Sequence, residues 1–301
     1  MEETLFGVLN VYKPKGMTSH DVVAILRRTL HMKRIGHTGT LDPIAEGVLP
    51  ILIGKATKLS DLLMAEEKRY KAGVKLGVTT DTDDLTGEVI AENEVAVTED
   101  DVNNVLASFL GKQAQIPPMY SAIKVDGKKL YQLARRGVVT ERKPRNIEIY
   151  DLKMENFKGD MFDLSVHCSK GTYIRALCRD IGAALNTGAA METLIRTQSG
   201  NFTLENTHTL EEIKIAAEDG TVENFLISAD EVLKDFPRVD VTEEYAMKMK
   251  NGIRLRPAQL GILDAKEENL YCIYFEDTLL CVLKAVAGEN TILLAMEKSF
   301  Y

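Results

Sequence analysis

Cysteine and histidine are scarce in this sequence, and neither forms a metal-binding pattern. The 301 residues include four cysteines and five histidines. Cys168 and Cys178 are ten residues apart, Cys272 and Cys281 are nine apart, and no CxxC motif occurs. Each cysteine lies in an apolar stretch, which favours buried thiols over disulfides, and the histidines lack metal-ligand spacing. We therefore predict no disulfide and no metal site.

The sequence also lacks long apolar segments. No apolar run reaches the roughly 18 residues that a membrane helix needs. The first ten residues, MEETLFGVLN, carry acids where a signal peptide carries bases. Hydrophobic residues make up 45% and charged residues 27% of the chain, close to the globular average. We expect a soluble, cytoplasmic protein without membrane contact, and its length favours two domains.

Familiar cofactor and hydrolase motifs are absent as well. Gly54-Lys55-Ala56-Thr57 is not a phosphate-binding loop, because the first glycine of that motif would fall on Leu49 and its serine or threonine on Ala56. The acidic run at 81–84 lacks the glycine of a calcium loop, since Thr86 stands in its place. No GxSxG motif occurs. We predict no cofactor.

The net charge of −8 hides an uneven distribution. Segments 81–101 and 205–244 each carry a charge of −9, so the remainder of the chain carries about +10. One stretch, 124–145, holds eight bases against Asp126 and Glu141. These bases are Lys124, Lys128, Lys129, Arg135, Arg136, Arg142, Lys143 and Arg145. Such a stretch can bind a nucleic-acid backbone, and a merely solvated surface is the alternative.

The order of predicted elements favours an α+β fold. A strand over 7–12 precedes a helix whose N-cap we predict at Ser19, and strands and helices then interleave without regular βαβ spacing. Phe236-Pro237 marks a break, after which short β-rich runs predict a small barrel. We predict two domains, residues 1–236 and residues 237–301.

One loop presents a carboxylate in a rigid setting. In Gly36-His37-Thr38-Gly39-Thr40-Leu41-Asp42-Pro43, glycines permit close backbone approach and the proline stiffens the residue before it. This arrangement suits a catalytic acid at Asp42. An Asp-Pro pair is also common in ordinary turns, so the loop alone leaves both interpretations open.

Several blocks of sequence resemble, in order, those of the bacterial TruB family of tRNA pseudouridine synthases. The resemblance extends over about residues 7–200, and the tail from MKNGIRLR onward is more loosely similar to the family's PUA-like domain. The blocks are NVYKPKGMTS, GHTGTLDPIAEGVLPI, KRYKAGVKLGVTTDTDD, PPMYSAIKVDGKKLYQLARRG and KGTYIRALCRDIG.

The resemblance implies a catalytic set. Asp42 falls at the family's catalytic aspartate, and Arg175 at the arginine that pairs with it. Tyr70 matches the tyrosine that stacks on the target base and relays the C5 proton.

The resemblance also implies a substrate-binding set. His37 matches the residue that fills the space left by the flipped uridine, and Lys13 matches a lysine beside the active-site loop. Tyr173 and Leu194 fall at positions that line the uracil pocket. For these two, ordinary core packing is the alternative.

The fold implied by the resemblance is a pseudouridine-synthase core with a mixed, largely antiparallel sheet, followed by a PUA-like domain. The implied reaction converts uridine 55 in the T loop of tRNA to pseudouridine after base flipping, without cofactor or metal. The basic stretch resembles an RNA-contacting insertion at about 120–146, and we expect the acidic segments 81–101 and 205–244 to face away from the RNA. The expected partner is the tRNA T arm, bound by a monomer.

Two other functions stay open. The chain could be a guide-RNA-dependent pseudouridine synthase subunit, which shares the catalytic blocks. It could also be a tRNA-binding protein whose output is folding rather than modification.

Overall fold

The computed structural model describes residues 5–64, 67–125, 127–138, 140–289 and 291–301. Its strands, numbered in chain order, are β1 (Gly7–Lys13), β2 (Ile35–His37), β3 (Glu46–Ile53), β4 (Lys68–Leu76), β5 (Val78–Thr80), β6 (Val89–Glu92), β7 (Gly111–Gln115), β8 (Lys124–Val125), β9 (Lys128–Lys129), β10 (Arg145–Glu155), β11 (Met161–Cys168), β12 (Ala189–Ser199), β13 (Phe202–Thr203), β14 (Leu226–Ile227), β15 (Arg238–Asp240), β16 (Leu270–Phe275), β17 (Thr278–Ala287) and β18 (Ile292–Ser299).

Helices lie between these strands without a regular alternation. They are α1 (Ser19–Thr29), α2 (Ser60–Met64), α3 (Glu99–Ser108), α4 (Leu130–Ala134), α5 (Ile174–Ala184), α6 (Leu210–Glu218), α7 (Ala229–Val232) and α8 (Glu243–Lys250). A 3₁₀ segment, Gly54–Leu59, leads into α2. Within the described ranges, none of these helices has the length and apolar character needed to cross a membrane.

A ten-stranded sheet forms the larger part of the molecule. Its main path runs β14-β1-β3-β12-β4-β11-β10-β7, with β2 paired to β3 and β13 paired to β12. Every pairing is antiparallel except that of β12 with β3. The predicted α+β fold with a mixed, largely antiparallel sheet is confirmed.

The main core joins this sheet to four helices. Apolar side chains of α1, α3, α5 and α6 pack with inward residues of the central strands in one buried cluster. The helix α5 is the one that lies against β12. Since β12 and β4 pair along most of their length, α5 is fixed over the middle of the sheet.

A second, four-stranded sheet follows near the C-terminus. Its order is β15-β16-β17-β18, and it packs against β1 and β3 through a buried cluster that includes Leu52 and Phe300. Lys55 donates to the Phe300 carbonyl at 2.6 Å, and Lys298 pairs with Asp61 at 2.9 Å. The boundary after residue 236 falls between α7 and β15 and stays a prediction.

The start of α1 differs from the expectation. Thr18, not Ser19, is the N-cap, because Thr18 and Asp21 form a reciprocal capping box. Asp21 accepts from the Thr18 amide at 2.8 Å, and its own amide donates to the Thr18 hydroxyl. This correction leaves the hydroxyl of Ser19 available for another contact.

The closest approach of α5 to the sheet occurs at Gly182. A Cβ atom there would overlap the backbone of Gly188 and Ala189, where β12 begins. Gly182 has ordinary helical φ, so the space, and not the backbone conformation, requires glycine. The seating of α5 therefore depends on this residue.

We predict that Gly182→Ala destabilises the protein by about 1–3 kcal/mol, because the added methyl group overpacks the helix–strand contact. At an exposed position inside a helix, replacing glycine with alanine would instead stabilise the protein by up to about 1 kcal/mol. Urea unfolding measures the difference. As a control, Ala183→Gly on the exposed side of α5 should cost only the helix propensity, and a more stable Gly182→Ala protein would contradict the packing argument.

Candidate active site in the β2–β3 loop

The loop between β2 and β3 holds Asp42 in a partly exposed position. Its backbone forms a turn in which the Ala45 amide donates to the Asp42 carbonyl at 3.0 Å. The Pro43 carbonyl accepts from the Gly16 amide at 2.7 Å, which ties the loop to the turn after β1. The Asp42 side chain keeps 38% of its surface exposed. A carboxylate is thus held rigidly and remains accessible.

Ser19 fixes the same loop from the side of α1. Its buried hydroxyl accepts from the Leu41 amide at 2.9 Å and donates to the Leu41 carbonyl at 3.1 Å. Leu41 is itself buried, so the residue before Asp42 is held by both hydrogen bonds and packing. The sequence analysis assigned Ser19 to helix capping and did not identify this contact.

Arg175, in the first turn of α5, pairs with Asp42. Its Nε lies 2.9 Å from Asp42 Oδ2. Nη1 donates to the Thr82 carbonyl at 2.9 Å, and Nη2 donates to the Tyr120 carbonyl at 2.8 Å. The side chain is only 5% exposed. Since all three nitrogens are engaged, the guanidinium has one orientation and aims the carboxylate.

Two acids of the segment 81–101 lie close to arginines of α5. Asp84 is buried and lies 3.6 Å from Arg175 Nη1, while its Oδ1 accepts from the Thr86 amide at 3.0 Å. Asp83, with φ of +63°, pairs with Arg179 at 2.9 Å, and burial raises the pKa of its carboxyl. The sequence analysis missed these contacts, because the run looked like one uniformly acidic surface.

Tyr70 lies in the middle of β4. It is 9% exposed, and burial raises the pKa of its hydroxyl. Arg196 stands directly opposite on β12, and its charge opposes that shift. Tyr70 therefore presents a largely buried ring whose hydroxyl faces a cation.

Lys13 lies at the end of β1. Its side chain is fully buried, and Nζ donates to the carbonyls of Pro14 at 2.9 Å and Met17 at 2.6 Å. Burial lowers the pKa of this amine to about 8, opposed by the charges of Asp42 and Glu46. Lys13 thus shapes the turn after β1 and adds positive charge near Asp42.

The two residues assigned to the uracil pocket also border the site. Leu194 is buried on β12, two residues before Arg196, so both side chains point to one face. Tyr173 precedes α5, and its backbone exchanges two hydrogen bonds with the side chain of Gln115. The structure thus brings together Asp42, Tyr70, Arg175, Lys13, Tyr173 and Leu194, and adds Ser19, Asp84 and Arg196 to them.

His37 ends β2, just before the loop. Its ring lies 5.5 Å from that of His20, and its Nδ1 is buried without a hydrogen-bond partner among the described residues. Burial, assisted by the charges of His20 and Arg196, lowers the pKa of the ring to about 4. His37 is therefore a flat, uncharged ring at neutral pH.

The basic stretch protrudes from the core as the β8–β9 hairpin and α4. Lys124, Lys128, Arg135, Arg136, Lys143 and Arg145 are exposed, and Lys129 and Arg142 are half-buried. In the ranges that the structure covers, none of the eight lies within 4.0 Å of a carboxylate. Asp126 lies outside the described residues. The stretch begins next to Tyr120, whose carbonyl contacts Arg175.

Comparison with known proteins identifies the family. Residues 27–174 match the model of the TruB family pseudouridylate synthase N-terminal domain. Residues 175–234 match the tRNA pseudouridylate synthase B C-terminal domain. The chain belongs to the TruB family. The predicted resemblance is confirmed, and these two matches together include Asp42, Tyr70 and Arg175.

Curated relatives of high identity support the assignment to the TruB family. A Clostridium tetani protein named tRNA pseudouridine synthase B is 44% identical over 273 residues, which cover 90% of this chain and 92% of the relative. A Bacillus cytotoxicus protein of the same name is 45% identical over 278 residues, 89% of this chain and 91% of the relative.

Solved structures of related complexes have the same fold. An H/ACA ribonucleoprotein bound to a substrate RNA containing 2′-deoxyuridine superposes with a TM-score of 0.73 at 28% identity, covering 98% of this chain and 85% of that chain. A Cbf5–Nop10–Gar1 complex gives a TM-score of 0.74 at 28% identity, covering 98% of this chain and 84% of that chain.

We predict that the ring of His37 stays neutral from pH 8 down to about pH 5, because burial disfavours its charged form. The pKa of His37 is lower in the folded than in the unfolded protein, so protonation of this ring favours the unfolded state. The free energy of unfolding therefore decreases as the pH falls from about 6.5 to about 4. Ring-carbon NMR titration measures this, with His37→Gln assigning the resonance. A midpoint near 6.5 would contradict the prediction.

Proposed function

We propose that this chain converts uridine 55 in the T loop of tRNA to pseudouridine. The observation that carries the proposal is the Asp42–Arg175 pair, a rigid and accessible carboxylate held by a buried guanidinium. The names of the relatives that share 44–45% of their residues support tRNA as the substrate. The resemblance of the sequence blocks supports position 55.

The reaction needs one ionised carboxylate beside the sugar. The bond between N1 and C1′ breaks, the uracil turns over, C5 bonds to C1′, and the C5 hydrogen leaves as a proton. Asp42 can attack C1′ and leave again when C5 attacks, attack C6, or assist a glycal route. In each case the ion pair with Arg175 keeps the carboxylate charged and aimed.

Tyr70 is suited to hold the freed base. Its largely buried ring offers a flat face on which a uracil can stack, and its hydroxyl can relay the C5 proton by accepting it while giving up its own. Leu194 and Tyr173 supply apolar walls. A base confined in this way can turn over without leaving the site.

The target uridine must leave its stack before it can reach Asp42. Base flipping costs a few kcal/mol, which must be offset by contacts elsewhere. The neutral ring of His37 can stack where the uridine was, and the exposed cations of the basic stretch can hold the phosphates. In this proposal residues 1–236 act as the catalytic domain, and residues 237–301 bind the acceptor side of a tRNA as part of a monomer.

A guide-RNA-dependent enzyme is the second candidate, because the solved structures with the same fold include H/ACA complexes. Their identity of 28% is well below that of the relatives named tRNA pseudouridine synthase B. Activity on a bare tRNA transcript, without guide RNA or other proteins, separates the two candidates.

We predict that wild-type protein releases tritium from a tRNA transcript labelled at uridine C5, and that Asp42→Asn abolishes the release. The amide cannot act as nucleophile or base, but it is nearly isosteric. Asp101→Asn, in the capping box of α3, is the matched control and should release tritium normally. Release from wild type together with a pseudouridine mapped at position 55 supports the proposal. Release from Asp42→Asn would exclude Asp42 as the essential group.

If wild type binds tRNA but releases no tritium, either a partner is missing, as for the guide-RNA-dependent candidate, or the function is binding or folding. If wild type does release tritium, the Asp42→Asn protein separates a coexisting folding activity from modification, since folding does not need the carboxylate.

We predict that replacing Lys128 and Arg136 together with alanine weakens tRNA binding and lowers the slope of log K against log salt by about 1–2. Each lost cation contacts no carboxylate in the described residues, so its charge is available to phosphate. Lys158→Ala, in the loop between β10 and β11, is the control and should leave the slope unchanged. Equal slopes for the double variant and wild type would remove the basic stretch from the RNA interface.

A further inference from the structure

Arg196, near the end of β12, is the largest fully buried side chain outside the assigned catalytic set, at 1% exposure. Within the described residues, it forms no ion pair with a carboxylate. Burying a guanidinium without a counter-ion is costly, and burial lowers its pKa.

The contacts of Arg196 are with the loop that carries Asp42. Its Nε donates to the Val48 carbonyl at 2.7 Å, and its Nη2 donates to the Gly39 carbonyl at 3.0 Å. Gly39 lies three residues before Asp42 and Val48 six residues after it. One rigid, forked side chain therefore holds the loop at Gly39 and the strand that follows it, β3, at Val48.

The backbone of Arg196 contacts the loop as well. β12 pairs with β3 at Arg196 and Gly47, in the only parallel register of the sheet described here. Gly47 has φ of +99°, and a Cβ atom there would overlap the Arg196 carbonyl. Both the main chain and the side chain of Arg196 thus contact the segment formed by the Asp42 loop and the start of β3.

Arg196 also connects the loop to Tyr70. The two residues are register partners across β12 and β4, so their side chains lie on the same face of the sheet. The charge of Arg196 counteracts the effect of burial on the pKa of the Tyr70 hydroxyl. The guanidinium therefore acts both on the Asp42 loop and on Tyr70.

We propose that Arg196 is a positioning residue of the isomerisation, which fixes the Asp42 loop relative to Tyr70 through its forked contacts with Gly39 and Val48. The proposal rests on the proposed function for its effect on rate, but the effect on the loop stands without it. Arg196 touches neither Asp42 nor Arg175 in the hydrogen bonds of the described residues, and it acts through the backbone.

The charge of Arg196 is the competing explanation. This charge lowers the pKa values of His37, Lys13 and Tyr70, so the positive charge alone could alter the protonation of groups in the site. Lysine keeps the charge but offers one compact ammonium, which cannot satisfy two separated carbonyls in fork geometry. Arg196→Lys therefore distinguishes positioning from charge, and Arg196→Met removes both.

The test combines amide hydrogen exchange with tRNA kinetics on the full chain. In Arg196→Met we expect exchange in residues 38–47 to rise by about tenfold, the effect of losing one hydrogen bond to a charged group. The amides of Thr38 and Ala45, which donate within or beside the loop, are the reporters. We expect kcat to fall by about 100-fold, while the Kd for tRNA stays within about twofold.

Arg27→Met is the matched control. Arg27, in α1, also donates to a backbone carbonyl, that of Ile35 at 2.8 Å, but Ile35 begins β2 and lies at the end of that strand away from the Asp42 loop. Its removal should leave exchange in residues 38–47 and kcat close to wild type. Arg196→Lys should show raised loop exchange and less than about a tenth of wild-type kcat.

Three results would overturn the proposal: unchanged loop exchange in Arg196→Met, a rise in Kd that accounts for the loss of rate, or full activity in Arg196→Lys. If Arg196→Met does not fold, Arg196→Lys decides by the same two readouts. If wild type does not isomerise uridine, the proposed function fails, and loop exchange alone then confirms or overturns the positioning role.

Discussion

The ion pair between Asp42 and Arg175 is the interaction on which the rest of the site depends. Asp42 comes from a loop between two strands and Arg175 from the first turn of α5, so the ion pair exists only when the sheet and α5 are packed together. The buried arginine in turn requires carbonyls from two further segments, at Thr82 and Tyr120. Four separate parts of the chain thus meet at one guanidinium.

Residues from several separate parts of the fold are therefore needed to hold the carboxylate of Asp42 and the guanidinium of Arg175. A guanidinium buried without partners would cost more than folding can supply, so its neighbours must be in place before it can be buried. Asp84 and the turn around it exist in this position as support for Arg175. We therefore expect the site to form and unfold together with the hydrophobic core.

Much of the fold could be predicted from the sequence, and the rest could not, for definite physical reasons. The strand β11 alternates buried apolar residues with more exposed ones, the period of a strand with one face in the core, and the resemblance to the TruB family indicated Asp42. Asp84 could not be identified, because a carboxylate in an acidic run looks solvated until an arginine from another segment covers it. Arg196 lies on a strand where nothing local says that its side chain points inward. Ser19 was assigned to a cap that Thr18 forms with Asp21, since either residue fits the local pattern.

The attachment of the C-terminal sheet has a consequence for the proposed function. Lys55 and Lys58 donate to the carbonyls of Phe300 and Ser299, near the C-terminus, and Phe300 packs against Phe6 beside β1. These contacts fasten the small sheet to the same strands that frame Asp42. In the function proposed above, an RNA that touches both the small sheet and the carboxylate must therefore span one constant distance. In that proposal the protein also acts as a ruler, which selects by the length of a folded RNA arm as well as by the base at its end.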